Sequence, residues 1–196
     1  MIELIGIELT LIQLGGAYLR YLPFSRELTP AQIEELKRKF LLWSAAGFAL
    51  NLFFLADGLN YRAFRFTFAV SWLPYFLLSM TVIRHKTAQH VFVLGMEGLW
   101  AFMLHASAGA VVTLIYGAMT EEFLPLQLTT YLVLFVALLK LERQFFTNLL
   151  PTPRFFEEET FKWVISLLPL AIFIGLMIPI FEFTFLPTWK EKFSRL

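Results

Sequence analysis

Long apolar segments alternate with short polar segments along this chain, and the lengths of the apolar segments predict membrane-spanning helices. A helix rises about 1.5 Å per residue, so about 20 apolar residues cross the ~30 Å hydrocarbon core of a bilayer. The pattern predicts an all-α, polytopic transmembrane bundle with about six spans, in a single domain over residues 1–196. The predicted spans are residues 8–24, 40–56, 64–83, 90–118, 124–141 and 163–185.

Two charged segments are predicted to lie along the membrane surface. Residues 28–39 begin with the pattern of a capping box, Thr29 to Gln32, with proline at the first helical position, and they run directly into the second span. Residues 143–162 place phenylalanines beside charged residues, which is typical of interfacial segments. Arg20, near the end of the first span, is expected to extend its charged group to the membrane boundary.

Basic residues are concentrated on one side of the predicted membrane, the side that holds the first connector. Because positive connectors remain in the cytoplasm, this bias predicts an N-terminus outside the membrane. Six spans then place the C-terminal tail outside as well, although it carries three basic residues. That tail would be explained if the natural chain continues past Leu196 into a seventh span that returns to the cytoplasm.

Composition supports a membrane protein and excludes several kinds of chemistry. The chain is 58% hydrophobic and 16% charged, against about 45–50% and about 25% in soluble domains. The lipid bilayer is therefore a predicted partner. Nucleic acid is not, because the net charge is only +1 and no basic patch is interleaved with aromatic residues. The absence of cysteine excludes disulfides, thiolate metal sites and cysteine nucleophiles.

The fourth predicted span carries a polar stripe on an otherwise apolar helix. At about 100° per residue, His90, Glu97 and His105 fall on one face. A carboxylate within the membrane is costly unless it is protonated, paired or facing water, so this face should point into the bundle. Asn51, the only strongly polar side chain of the second span, joins these three residues as a candidate ligand site.

Two interpretations of the stripe compete. In the functional one, Glu97 belongs to a ligand, ion or proton site at the middle of the membrane. In the structural one, Glu97 makes a hydrogen bond to a hydroxyl or amide on a neighbouring helix. The structural interpretation is favoured because nothing else in the sequence indicates that the stripe contacts water. The candidate partners are Asn51, Ser71, Gln127 and Thr130.

Motifs for catalysis and cofactor binding are missing. The chain has no H-E-x-x-H, G-x-S-x-G, P-loop or G-x-G-x-x-G sequence, so neither a catalytic residue nor a cofactor is predicted. Its three histidines, His85, His90 and His105, are spaced too widely for an obvious metal site, and no metal is predicted.

Two pairs of adjacent glutamates approach the E-E-x-x-x-R motif of certain intramembrane proteases, but lysine replaces the arginine in both. Each pair lies in a charged connector, where a solvated surface explains it as well. A protease is therefore the less favoured interpretation. The pairs are Glu34-Glu35 with Lys39 and Glu157-Glu158 with Lys162.

Prolines within the predicted spans are candidate hinges. Proline removes one backbone hydrogen bond of a helix and commonly bends it, so these positions allow bending without loss of the whole helix. The candidates are Pro74, Pro169 and Pro179.

Three segments of the chain resemble a known family. They are SWLPYFLLSMTVIRHKTAQHVFVLGMEGLW at 71–100, LRYLPFSRELTPAQ at 19–32 and RQFFTNLLPTPRFFEEETF at 143–161. Together they resemble the multi-span N-terminal region of sensor histidine kinases of Firmicutes, which carry a GHKL-type ATPase domain and some of which sense peptide pheromones. The resemblance rests on short phrases spread over most of the chain and not on a catalytic signature.

The resemblance implies a membrane-embedded signal-input module of a bacterial two-component sensor kinase, in the cytoplasmic membrane. It implies a homodimer and a peptide or small-molecule signal, while kinase activity would need a C-terminal domain that these 196 residues lack. A signal near Glu97 would then shift the population between two packings of kinked helices. The alternative is a small transporter or channel subunit, in which Glu97 and His105 would relay an ion or proton.

Overall fold

The computed structural model describes residues 2–56, 61–84, 86–117, 121–150 and 161–177. Within these ranges the regular structure is entirely helical, which confirms the predicted all-α class. Short 3-10 turns at Leu22–Phe24 and Glu121–Phe123 lie between helices. The helices are α1 (Ile2–Tyr21), α2 (Pro30–Phe54), α3 (Tyr61–Val82), α4 (Thr87–Tyr116), α5 (Leu124–Thr147) and α6 (Phe161–Met177).

The start of α2 follows the prediction from sequence. The Thr29 backbone N–H donates to Gln32 Oε1 at 3.0 Å, and the Gln32 backbone N–H donates to Thr29 Oγ1 at 3.4 Å. This is the reciprocal capping box, and Pro30 follows it at the first helical position. The helix continues without a break to Phe54, so the predicted surface helix and the second span form one element.

Neighbouring helices run in opposite directions, and α1 occupies the centre, in contact with α2, α3, α4 and α5. As one helix is followed forward, its contacts move backward along the next, which is the pattern of an up-and-down bundle. The contacts that show it are Gly6–Leu52 and Gln13–Gly47 for α1–α2, Lys39–Thr81 and Ser44–Tyr75 for α2–α3, Ser79–His90 across the short turn for α3–α4, and Trp100–Glu142 and Gly109–Gln127 for α4–α5.

Two close contacts explain why α1 tolerates the pair Gly15-Gly16 in its interior, although glycine is a poor helix former. A Cβ at Gly15 would lie 2.9 Å from the ring of Phe135 on α5. A Cβ at Gly16 would lie 3.0 Å from Glu97 Oε1 on α4. The glycines therefore let the central helix approach both neighbours closely.

Large apolar side chains lie on the surface of the described bundle, and several polar side chains are buried within its mainly apolar core. Large apolar residues of every helix are exposed, including Leu114 at 85%, and contiguous exposed apolar surface marks contact with lipid or another protein. Representative exposed residues are Leu4, Phe53, Leu73, Leu114, Val136 and Leu168. The buried polar residues are Gln13, Arg20, Ser44, Asn51, Ser79, His90, Glu97, Gln127, Glu142 and Ser166.

Two of the described helices, α4 and α5, are long and apolar enough to cross a membrane. The most apolar 18-residue stretch has a mean hydropathy of 1.7 in α4 and 1.8 in α5, and only 28% and 22% of these stretches is buried. The core helix of a soluble protein would be mostly buried, so the low burial of these stretches favours contact with lipid. Two such helices support a membrane protein, and the number of six spans stays a prediction.

Helix boundaries differ from the predicted spans mainly at α1 and α5. The first helix begins at Ile2, where the prediction began at residue 8, and the fifth ends at Thr147, past the predicted boundary at 141. The helix α5 continues past residue 141 because Glu142 and Phe146 extend its buried face. The last predicted span is described only to Met177, and residues 151–160 of the second surface segment lie outside the described ranges.

Candidate functional site

The central feature of the bundle interior is an ion pair between α1 and α4. Arg20 Nη2 donates a hydrogen bond to Glu97 Oε2, and the two side chains are 0% and 3% exposed. Glu97 lies ten residues after the first residue of α4, or about 15 Å along the helix. The prediction that Glu97 points into the bundle is confirmed.

Three of the four predicted partners of Glu97, namely Asn51, Gln127 and Thr130, make their side-chain hydrogen bonds to other residues. The sequence favoured a hydroxyl or amide, whereas the structure supplies a guanidinium from the central helix. Arg20 was expected to reach the membrane boundary, but it is fully buried. The reason is its position on α1: Arg20 follows Gln13 by seven residues and Ala17 by three, so it continues the buried face of that helix. The side chain of Ser71, one predicted partner, lies outside the described side chains.

Arg20 has unused hydrogen-bonding capacity. Its guanidinium carbon lies 5.6 Å from the centroid of the Phe76 ring, a cation–π distance. No atom of the described residues accepts a hydrogen bond from its Nε or Nη1, although both are buried. Buried donors without partners are costly. An added oxygen ligand at this guanidinium would therefore be favourable.

His90 joins α4 to the end of α3. Its Nε2 donates to the backbone carbonyl of Ile83 at 2.9 Å, and its Nδ1 lies 3.3 Å from Ser79 Oγ. The imidazole also contacts the ring of Phe24, with ring centroids 4.7 Å apart. Both ring nitrogens are thus used in packing the turn between α3 and α4, which is a structural role.

His105 and Asn51 belong to two further contacts. Gln127 Nε2 lies 3.2 Å from His105 Nε2 and donates to the His105 backbone carbonyl at 3.1 Å, which joins α4 to α5. Asn51 exchanges hydrogen bonds with Gln13 and also donates to Thr10, which joins α2 to α1. Neither contact includes Glu97.

The predicted stripe is therefore not one site. Its members all lie toward the interior, but His90 contacts α3, Glu97 contacts α1 and His105 contacts α5. Seven residues raise a helix by about 10.5 Å, so positions that share a face meet different neighbours along the helix.

Glu142 is a buried carboxylate that the sequence prediction missed. Its Oε1 accepts a hydrogen bond from Trp100 Nε1 at 2.9 Å, while its Oε2 is buried and has no partner among the described residues. Residue 142 falls between the fifth predicted span and the second predicted surface segment, and no role was predicted for it. A helical stripe through Leu128, Tyr131 and Phe146 would have included residue 142, and this periodicity was the available signal.

Glu34 and Glu35 lie on a solvated surface of α2. Glu34 pairs with Lys37 at 3.0 Å and is 73% exposed, and Glu35 pairs with Lys39 at 2.7 Å. The hydrogen bond and charge of Lys39 lower the pKa of Glu35, so this carboxyl is held ionised. These contacts give no support to a protease site, and the second pair, Glu157-Glu158, lies outside the described residues.

The remaining candidates concern metals and hinges. In the described ranges no group of three or more His, Asp or Glu side chains could hold a metal ion. Pro74 lies inside the continuous helix α3. Pro169 lies in α6, where it is buried against Gly95 of α4. Pro179 is outside the described residues. A hinge role for these prolines remains a prediction.

No protein-family model, curated protein or solved structure matches this chain. The likeness to the input region of sensor kinases therefore stays a prediction from sequence.

Proposed function

We propose that this chain is a multi-pass protein of the bacterial cytoplasmic membrane, with about six spans. The supporting observation is the large apolar residues exposed on each described helix, together with ten polar residues buried between these helices. In lipid this arrangement shields charged and amide groups and leaves the apolar surface in contact with hydrocarbon.

The orientation proposed from sequence gains support from contacts at one end of the bundle. Lys86 forms an ion pair with Glu27, and Arg26 donates to Asn148 Oδ1 at 3.2 Å. These contacts bring together the first connector, the turn between α3 and α4 and the end of α5. Exposed basic residues surround this end, which is therefore the cytoplasmic one. They are Arg26, Lys37, Arg38, Arg84, Lys140 and Arg143.

Cysteine labelling will test this orientation, because residues 1–196 contain no cysteine. We expect Glu122→Cys, in the turn at the opposite end, to react with a membrane-impermeant maleimide in intact spheroplasts. Arg38→Cys, exposed on α2, should react only after permeabilisation. The reverse pattern would place the N-terminus inside, and equal labelling of both variants in intact cells would contradict the membrane assignment.

We further propose that the chain is the signal-input module of a two-component sensor histidine kinase and acts as a homodimer. The Arg20–Glu97 pair carries this proposal, because buried charges within a membrane bundle are generally functional. The pair joins the central helix to the longest helix, so its separation would repack both. A peptide or small molecule with a carboxylate or carbonyl oxygen can compete with Glu97 for the unused N–H groups of Arg20. Binding would then shift the population toward the separated packing.

The natural reading frame will test this function. We expect it to continue past codon 196 into a kinase core, and membrane vesicles that contain the full product should phosphorylate a histidine from ATP. Glu97→Gln keeps the shape of the side chain but leaves Arg20 uncompensated. It should change the phosphorylation rate by about fivefold or more, the usual size of an allosteric coupling.

The matched control is Glu34→Gln, which removes an equal charge from an exposed position and should leave phosphorylation unchanged. A reading frame without any kinase core would contradict the proposal. Equal phosphorylation by Glu97→Gln and the natural protein, at equal amounts of folded protein, would leave the ion pair only a structural role.

A small transporter or channel subunit is the second candidate, favoured by the two carboxylates buried between helices, Glu97 and Glu142. Proteoliposomes separate the two functions. A transporter should carry protons or sodium ions down an imposed gradient, and this flux should be lost in Glu97→Gln. An input module should show no flux above that of empty liposomes.

A further inference from the structure

The bundle interior contains one carboxylate that no cation of the described protein balances. Among these residues the buried charged side chains are Arg20, Glu97 and Glu142. Arg20 and Glu97 neutralise each other, whereas Glu142 belongs to none of the four salt bridges of the described chain. A carboxylate buried without a counter-charge is strongly disfavoured. Glu142 therefore requires a positive partner.

The carboxyl group of Glu142 is held in one orientation. The Trp100 indole N–H fixes Oε1 at 2.9 Å and leaves Oε2 buried and unpartnered. The indole stacks on Phe145, with centroids 5.9 Å apart, and meets the edge of Phe146 at 6.3 Å. This aromatic layer limits the access of bulk water, and Oε2 remains as the atom to which a ligand can bind.

The helices around Glu142 supply no free positive charge within the described chain. The two basic neighbours on its own helix, Lys140 and Arg143, are exposed, and neither forms a salt bridge with Glu142. A tyrosine on α5 interacts electrostatically with both Glu142 and Glu97. Two tyrosines of α1 pack, as Trp100 does, against the buried cluster of Leu19, Leu22 and Phe146. These titratable and charged groups are Lys140, Arg143 and Tyr131 on α5, Tyr18 and Tyr21 on α1, and the Arg20–Glu97 pair.

We propose that Glu142, oriented by Trp100, binds a small monovalent cation, either a proton or an alkali-metal ion. One uncompensated negative charge calls for one positive charge, and a carboxylate oxygen suits a hard cation. A divalent ion is disfavoured because it usually gathers several carboxylates, and no such cluster exists among the described residues. The site is separate from the Arg20–Glu97 pair and does not depend on the signal-input proposal.

Thermal unfolding of the purified protein in detergent will test this site. Ionic strength is held constant while sodium or potassium chloride replaces choline chloride, at several pH values. An alkali-metal site should raise Tm by about 5 °C at saturating salt, since a ligand that binds only the folded state stabilises it. A proton site should instead raise Tm as the pH falls, with no difference between sodium and choline.

Glu142→Gln should abolish whichever dependence the natural protein shows, while Glu34→Gln, with an exposed carboxylate removed, should retain it. Fluorescence gives a readout that does not need a folded Glu142 variant. The natural protein should show a change in tryptophan emission with cation or pH, and Trp100→Phe should lose it. The proposal would be overturned if the Tm and tryptophan emission of the natural protein responded to neither cation nor pH. It would also be overturned if Glu142→Gln and Trp100→Phe responded in the same way as the natural protein.

Discussion

Replacing Arg20 with methionine is expected to lower the free energy of unfolding by about 3–5 kcal/mol, because Glu97 then remains buried without a partner. Methionine fills much of the volume of the arginine chain, so the loss comes mainly from the charge. Glu97→Leu alone should be comparably destabilising, since it leaves the guanidinium unpaired. Unfolding can be followed in mixed micelles by the emission of the five tryptophans as SDS is added.

The double variant Arg20→Met with Glu97→Leu is the control that separates charge from packing. It removes both charges from the interior, and its stability should lie within about 1 kcal/mol of the natural protein or above it, because apolar pairs often replace buried ion pairs without loss. Simple addition of the two single losses would contradict a direct ion pair.

A second large effect is expected at the contact between α4 and α6. Gly95→Ala should destabilise the bundle by about 1–3 kcal/mol, the usual cost of overpacking. The added Cβ would overlap the backbone nitrogen of Leu170 and lie 2.7 Å from the carbonyl carbon of Pro169. Backbone atoms cannot move aside as a flexible side chain can, so α6 must shift away from α4.

Gly175→Ala is the matched control, because nothing lies within 4 Å of the added Cβ and alanine favours the helix. It should be neutral or slightly stabilising. The displacement itself can be measured by cross-linking single cysteines at Trp72 and Phe173, whose rings stack with centroids 5.8 Å apart. Gly95→Ala should reduce the yield of this cross-link. An unchanged cross-linking yield with unchanged stability would show that α6 does not approach Gly95.

Local signals in the sequence predicted local structure well. The capping box at Thr29 and Gln32 starts α2 where expected, since its hydrogen bonds join residues only three apart. Helix periodicity correctly placed His90 and Glu97 on a buried face of α4. The likeness to sensor kinases, the hinge prolines and the six spans remain predictions, since each depends on contacts or residues beyond such local signals.

Amino-acid order by itself determined that this chain is helical and apolar enough for a membrane, and that an acid lies within its longest apolar helix, because propensity, hydropathy and periodicity act over a few turns. Only the tertiary structure decided which residue meets that acid. Arg20 is 77 positions away and lies on α1, so the pair forms only because α1 packs against α4. The partner of Glu142 was decided in the same way, since the Trp100 N–H that donates to it comes from another helix.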